Sequence, residues 1–529
     1  MKLDVSELPV ASQPSVVAKL FSVVERRRRL LWRILQGWEA PLWCTAAVMT
    51  ALIVPLRYTV GQNADGLLQT LMSIQCLTLF YWQQDRFANL LPLLASPVTD
   101  PVLNAQFQLA LRICLGVAAP LLFCVTGGSR RDILQAGRTT LLASALALAA
   151  VPQQMVHEWF VEASPYGTSF ALGGLALLMF ALAPARKCGG AIALRLAGLL
   201  LTVAAYMVNA SLVLVTLPLF GAQAVLFGSP IAAEFCIASL VGVLVTLLAS
   251  GSVHTPKTSM RFGESLTGLQ HYATELVGKP GYFLAAMLAL FVLTAIFSRK
   301  PDRSAFIHES LALLGTFAVA FLGVSLSSWV LLNHFNPRYL VPLYVLMAAL
   351  GAKAVLRLLE QLCPRQASMA ALCVCGILLM IAGHRRATVV ENDNGIVDAN
   401  VRPLAQAVAE LISAQHIDAV AGNYWQVWPS VFLAEQQAHE FGHSAGAIFG
   451  LTLRGDTRRE ALLARLSANG ALTVACIDLT DNACRDAAIA IARKPLQVRP
   501  LQISDAIEGH EVSIISLTRK KIPSPTRNP

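Results

Sequence analysis

The sequence predicts a polytopic α-helical membrane protein that ends in a soluble α/β domain. Three observations carry that expectation. The 529-residue chain is 55% hydrophobic and only 14% charged, against roughly 25% charged in an ordinary soluble domain; its mean hydropathy is +0.59. The apolar residues are gathered into runs that match a bilayer, which takes roughly 20 mainly apolar residues per helix. After about residue 384 the composition becomes that of an ordinary soluble domain.

The runs justify the spans one by one. "APLWCTAAVMTALIVPL" covers Ala40 to Leu56, and "ALGGLALLMFALAPA" follows Phe170. "GYFLAAMLALFVLTAIF" runs from Gly281 to Phe297, and "LALLGTFAVAFLGVSLSSWVLL" from Leu311 to Leu332. Counting such segments up to Ile381 gives about eleven transmembrane helices. "NASLVLVTLPLFGAQAVLF" reads as one short span or as a broken pair.

The net charge of +10 does not point to nucleic acid. The basic residues stand in short clusters between apolar runs: Arg26 to Arg29, Arg130 with Arg131, Arg186 with Lys187, and Arg299 with Lys300. No stacking aromatics are interleaved with them. The positive-inside rule accounts for them and puts the N-terminus in the cytoplasm. An odd number of spans then puts the tail outside, although Arg385 and Arg386 pull the other way. The first apolar run is late, long and without a small-residue cleavage site, so it reads as an anchor and not as a cleaved signal peptide.

Three regions follow. Residues 1–37 form a cytoplasmic segment ending in the basic, amphipathic "ERRRRLLWRILQGW", suited to the inner membrane surface. Residues 38–384 are the membrane domain, with long outer loops at 57–104 and 251–279; loops of that length in a compact fold are usually functional. Residues 385–529 read as α/β. "HIDAVAGNYW" places a strand over Asp418 to Ala421, "TRREALLARLSANG" a helix, and "ALTVACID" and "EVSIISLTR" two further strands. Most cysteines lie in apolar runs and behave as small hydrophobes. Cys476 and Cys484, in "CIDLTDNAC", stand apart as either a local disulfide or two free thiols.

Several residues carry chemistry. Asp65 comes soon after the first span, as a general base at a membrane-surface cleft or as the N-cap of "GLLQTLMSIQ". Asp85 in "YWQQDR" adjoins Arg86, as a structural ion pair or as part of the cleft. Arg112 lies within an apolar run, facing that cleft or snorkelling to the interface. His157 and Glu158, in "QQMVHEWFVE", sit between spans, as a solvated pair or as acceptor contacts. Arg338 and Tyr339 open a late span in "HFNPRYLVPLYVLMA". The tail contains "HEFGH", in which His439, Glu440 and His443 have the H-E-x-x-H spacing of a zinc site. Gly442 and Gly446 interrupt that helix, and Phe449 stands where a third histidine would fall.

The order of these features resembles the GT-C glycosyltransferases, in particular the bacterial family-39-like branch, which is similar to protein mannosyltransferases and aminoarabinose transferases. Asp65 matches the acid early in the first outer loop. "HFNPRYLVPLYVLMA" matches the Arg-Tyr pair of a late helix, and "GNYWQVWPSVFLA" the aromatic strand-to-helix segment of the tail. The resemblance implies a sugar moved from a polyprenyl-phosphate donor to a cell-envelope glycan, lipid or protein acceptor. The reaction would invert the anomeric centre, on the outer face of the bacterial inner membrane, with the tail periplasmic. It makes Asp65 the base and gives the donor phosphate to Arg338 and Tyr339, with Arg112 and Arg86 as further contacts. Many members carry a second acid after the first, where this chain has Gly66, so a divalent metal in that loop stays open; no other cofactor is implied. Two alternatives belong to other classes. One is a membrane-anchored zinc metallopeptidase working through His439, Glu440 and His443. The other is a lipid or sugar transporter, which would show paired broken helices and internal repeats and would have no need of the soluble tail.

Overall fold

The computed structural model describes residues 39–56, 61–82, 88–162, 165–185, 188–249, 267, 269–274, 279–298, 300–327, 330, 333, 336–364, 366–384, 396–442, 448–452, 459–478, 496–503 and 509–519. The basic N-terminal segment 1–37, Asp85, Arg86, His443, Cys484 and most of the loop 251–279 lie outside them.

The membrane part begins with α1 (Glu39–Leu56). Two short helices of the first long loop follow, α2 (Ala64–Gln75) and α3 (Leu90–Ala95). Then come α4 (Pro101–Ala118), its continuation α5 (Leu121–Cys124), α6 (Arg130–Ala150) and the eight-residue α7 (Gln153–Phe160). Next are α8 (Pro165–Leu182), α9 (Cys188–Val208), α10 (Val213–Phe227) and α11 (Pro230–Ala249). The series closes with α12 (Lys279–Phe297), α13 (Lys300–Ser325), α14 (Val341–Leu362) and α15 (Ala367–His384). Among the described residues, ten helices are long and apolar enough to cross a membrane, and Gly281–Phe297 is a shorter apolar helix.

Local chemistry sets the helix starts. Asp100 caps α4 by accepting from Leu103 N at 2.7 Å, with Pro101 at the first turn. Ser129 and Asp132 form a reciprocal capping box at α6. The ambiguous segment is a single span: the 3₁₀ turn Ala210–Leu212 runs into α10, which carries Pro218 without breaking. Several charged residues of the spans stand in pairs, which lowers their cost in lipid: Arg138 with Glu39, Lys353 with Glu309, and the more exposed Arg195 with Glu234 at 3.0 Å. The most enclosed span is α14, buried from Val341 to Ala352.

The tail contains α16 (Arg402–Gln415), β1 (Ala419–Ala421), α17 (Tyr424–Glu440), β2 (Phe449–Leu451), α18 (Arg459–Asn469), β3 (Ala471–Ile477), β4 (Leu496–Ile503) and β5 (Val512–Arg519). Its sheet has the order β2-β1-β3-β5-β4, with β1 parallel to β2 and β3, and β5 antiparallel to β3 and β4. β4 was not expected from the sequence: Pro500 and Arg499 interrupt its pattern, and the register shifts between Pro500 and Gln502. Cys476 is buried on β3 and disulfide-bonded.

The loop helix α2 packs with the tail. Leu67, Leu68, Leu71 and Met72 share one buried cluster with Val408, Val427, Trp428 and Phe432. α2 and α17 lie side by side and run the same way: Tyr424 meets Asp65 near their starts, and Gln75 meets Glu435 near their ends at 2.8 Å. Glu435 is fully buried and also accepts from Ile448 N at 3.0 Å. The segment before α2 is bonded to the start of the tail, Gln62 N to Ile396 O at 2.5 Å and Asp398 N to Gln62 O at 3.0 Å.

Beneath α7, α4 and α8 cross closely. A Cβ at Gly167 would lie 2.8 Å from Trp159 O and 3.3 Å from Gly116 Cα. Gly167→Val is expected to destabilise the protein by about 1–3 kcal/mol, the usual range for overpacking a filled interior. Thermal unfolding in detergent should show a lower midpoint; an unchanged midpoint would mean the crossing has slack.

Candidate active site

The site forms where the first long loop, α7, the start of α14 and the start of α17 meet. Asn63 is the N-cap of α2, and its Oδ1 accepts from Asp65 N at 2.8 Å and Gly66 N at 3.4 Å. The capping alternative for Asp65 is thereby corrected: Asp65 sits inside the first turn with its carboxylate free to turn outward. One carboxylate oxygen, Oδ1, accepts from Tyr424 Oη at 2.6 Å. The other, Oδ2, lies 3.7 Å from Arg338 Nη1, with the two side chains 27% and 21% exposed.

Arg338 is held by its own turn. Asn336 Oδ1 accepts from Arg338 N at 3.0 Å and caps the 3₁₀ turn Pro337–Leu340 that leads into α14. Tyr272, from the second long loop, donates to Asn336 O at 3.1 Å. The guanidinium lies 5.3 Å from the Tyr339 ring centre, with Nη2 3.4 Å from Tyr339 Oη. The Arg338 guanidinium is therefore turned toward Asp65 and Tyr339.

Helix α7 supplies Glu158. Its residues Met155, Val156, Trp159 and Phe160 are buried on one face, and Trp159 Nε1 donates to Gly116 O at 3.0 Å. That leaves His157 and Glu158 half-buried on the flank, not paired in solvent. They part company. His157 Nδ1 lies 3.5 Å from Glu162 Oε2, and burial lowers the imidazole pKa. Glu158 turns toward Asp65 and Arg338. Burial pushes its carboxyl up to about 7, Arg338 pulls against the rise, and the Asp65 charge adds to it.

Arg112 belongs to a second, enclosed network. It is 3% exposed, and its Nη1 donates to Gln62 Oε1 and, at 3.0 Å, to Val161 O. Its Nε and Nη2 are buried without a partner among the described residues. Arg112 thus clips the strand before Asp65 to the turn after Glu158. Asp85 and Arg86 lie outside the described residues. Tyr424 carried no signal of its own in the sequence, beyond the quoted aromatic segment "GNYWQVWPSVFLA", because its partner is 359 residues away.

The HEFGH stretch is elsewhere. α17 stops at Glu440, Phe441 caps it, and Gly442 has φ +77°, while His443 lies outside the described residues. His439 Nε2 lies 3.5 Å from Asp100 Oδ2, and Glu440 accepts from Gln436 at 3.0 Å. Among the described residues no three His, Cys, Asp or Glu side chains converge as a metal site. Among the described residues of the Asp65 loop, no further acid joins Asp65 to hold a divalent ion. The Asp65 carboxylate already faces a guanidinium, and a side chain at Gly66 would run into Gln62 Oε1.

Glu158 gives a direct spectroscopic check. A protonated-carboxyl infrared band should fade as pH rises through about 7, and Glu158→Gln should remove it. Arg338→Met should move the transition to higher pH, since the guanidinium favours the charged form. A band that titrates near the ordinary glutamate pKa would show that the carboxyl is hydrated.

No protein-family model and no curated protein matches this sequence. Among solved structures the chain is similar to the crystal structure of ArnT from Cupriavidus metallidurans in the apo state. The identity is 12%, the match covers 91% of this chain and 98% of that one, and the TM-score is 0.49.

Proposed function

We propose that this protein is a membrane glycosyltransferase that moves a sugar from a polyprenyl-phosphate donor to an acceptor at the membrane face carrying the tail. The observation that carries the reading is the shared Asp65 carboxylate, with Arg338 3.7 Å from one oxygen and Tyr424 2.6 Å from the other. A base and a fixed cation stand side by side at the mouth of a helical bundle, where a lipid tail can stay in the bilayer while its phosphate reaches the polar cleft. The sequence resemblance to the GT-C enzymes points the same way.

In this reading the donor phosphate takes Arg338 as its partner. Asp65 then has its Oδ2 released from the guanidinium and open to the acceptor. The acceptor O–H attacks the anomeric carbon and gives its proton to Asp65. The sugar–phosphate C–O bond breaks, its electron pair stays on the phosphate oxygen, and Arg338 offsets that charge. Tyr424 fixes the orientation of the carboxylate, and Tyr339 supports Arg338. Glu158 supplies a second carboxyl near neutrality for the proton to pass through. The tail is then periplasmic and the membrane is the bacterial inner membrane.

Asp65→Asn should lower transfer by about 10²–10⁴-fold, the usual worth of a positioned base, while leaving expression and insertion intact. Arg338→Lys keeps the charge but loses the planar fork, so the donor concentration for half-maximal rate should rise while the variant stays folded. Glu440→Gln should behave as wild type. Label transfer from a lipid-linked sugar pool reads all three. Near-normal transfer by Asp65→Asn would remove it as the base, and loss of activity in Glu440→Gln would revive the peptidase alternative.

A further inference from the structure

The first turn of α17 points three consecutive residues at different places. Tyr424 reaches Asp65. Gln426 reaches the far side, where its Nε2 donates to Asp478 Oδ2 at 3.1 Å. Trp425, between them in sequence, is partly exposed, its ring 5.2 Å from that of Tyr424 at an interplanar angle of 81°. Asp478 in turn accepts from His510 Nδ1 at 2.6 Å and from Glu511 N at 3.1 Å.

Gln426, Asp478 and His510 come from three elements, and the sheet explains why they meet. β1 and β3 are parallel neighbours. The chain leaves β1 toward β2 on one side, and leaves β3 toward β4 on the other. Connections that leave adjacent parallel strands in opposite directions open a crevice at the carboxyl ends of those strands, the usual ligand position in open α/β sheets. Gly422, Asn423, Gln426 and Asp478 line that position, and His510 closes it from the start of β5. The side chains of Asp478 and His510 are 43% and 36% exposed, so solvent and solute reach them.

The chemistry of the crevice is specific. A carboxylate only accepts, so the 2.6 Å contact puts a proton on His510 Nδ1. Burial opposes the Asp478 charge, but hydrogen bonds from His510, Gln426 and Glu511 N hold its carboxyl below the usual range. The first turn of α17 and the ends of β1 and β3 together offer an aromatic ring, an anionic acceptor, an amide and an imidazole, which suit a ring that carries many hydroxyls on its edge and C–H groups on its face.

We infer that the crevice at the carboxyl ends of β1 and β3 binds the acceptor through a carbohydrate unit. That unit stacks on Trp425 and hydrogen-bonds to Asp478 and His510. The inference rests on the glycosyltransferase reading and narrows its acceptor to a glycan or glycan-bearing molecule. The geometry divides the labour around one carboxylate. The donor phosphate lies on the Arg338 side of Asp65, within the spans, and the acceptor comes from the Tyr424 side, across the tail.

The test uses the full-length protein in lipid nanodiscs. The donor is a radiolabelled lipid-linked sugar pool extracted from host membranes. The acceptors are the glycan, lipid and peptide fractions of the host cell envelope, assayed separately. Both label passed to acceptor and label released as free sugar are counted. The glycan fraction should accept label. Trp425→Ala and Asp478→Asn should each raise the glycan needed for half-saturation about tenfold, the size expected for losing one good contact. Both should shift the count from transferred toward free sugar, and Trp425→Phe should recover part of the loss. If Trp425→Ala fails to insert, His510→Gln gives the same reading. Wild-type glycan saturation in these variants would overturn the subsite, and label accepted by the peptide fraction alone, or by lipid that bears no glycan, would overturn the carbohydrate assignment. A wild-type protein that consumes no donor would instead sink the glycosyltransferase reading itself.

Discussion

The structure turns on one carboxylate that two parts of the chain, far apart in sequence, hold in common. Asp65 takes a hydrogen bond from the tail through Tyr424 and a cation from the bundle through Arg338. A charge at the edge of a bilayer, partly withdrawn from water, is stable only if neighbours replace its hydration. Both replacements are needed here because neither alone covers both oxygens. The surrounding arrangement follows from bringing them within reach: α2 must lie along α17, and the Pro337–Leu340 turn must open toward the tail.

The other polar groups keep that meeting point in register. Arg112 is buried in a span, yet its bonds go to loops on both sides of the cleft, to Gln62 before α2 and to Val161 after α7. Gln62 is bonded through its backbone to residues 396 and 398, so the same contact reaches the start of the tail. A buried guanidinium is costly, and its retention between three segments is consistent with a positioning role and not with stability for its own sake. His439 and Asp100 make a further tie at the other end of α17, about 22 Å from Tyr424 at 1.5 Å per residue. The helix is pinned at both ends.

What the sequence revealed follows the range of the forces involved. The spans were legible because about twenty apolar residues in a row have few other uses, and β3 and β5 because their patterns are local. The Arg338–Tyr339 turn stood out because a charge beside a proline opens an apolar run. The end of the helix that carries His439 was legible too, because Gly442 interrupts H-E-x-x-H and α17 stops at Glu440. Glu158 looked like a solvated residue because nothing nearby in sequence shows that α7 is folded onto α4 and α8. Tyr424 was beyond reach for the plainest reason, a partner hundreds of residues away. The edge strand β4 was hidden by Pro500 and Arg499, which a central strand would not carry but an edge strand can.

The shared core of α2 and the tail has a consequence for biosynthesis. Leu67, Leu68 and Leu71 are covered by residues such as Val427, Trp428 and Phe432, which leave the ribosome long after them. At 5–20 residues per second, the 359 residues separating Asp65 from Tyr424 take on the order of 20–70 s to make. For that interval α2 has α3 and α4 beside it, but the part of its apolar face that the tail covers waits for its partner. The membrane surface is the natural place for it to wait, because a short amphipathic helix can rest there until a better cover arrives. Cleft closure is then the last event of folding, and a nascent chain with every span inserted would still lack the finished site.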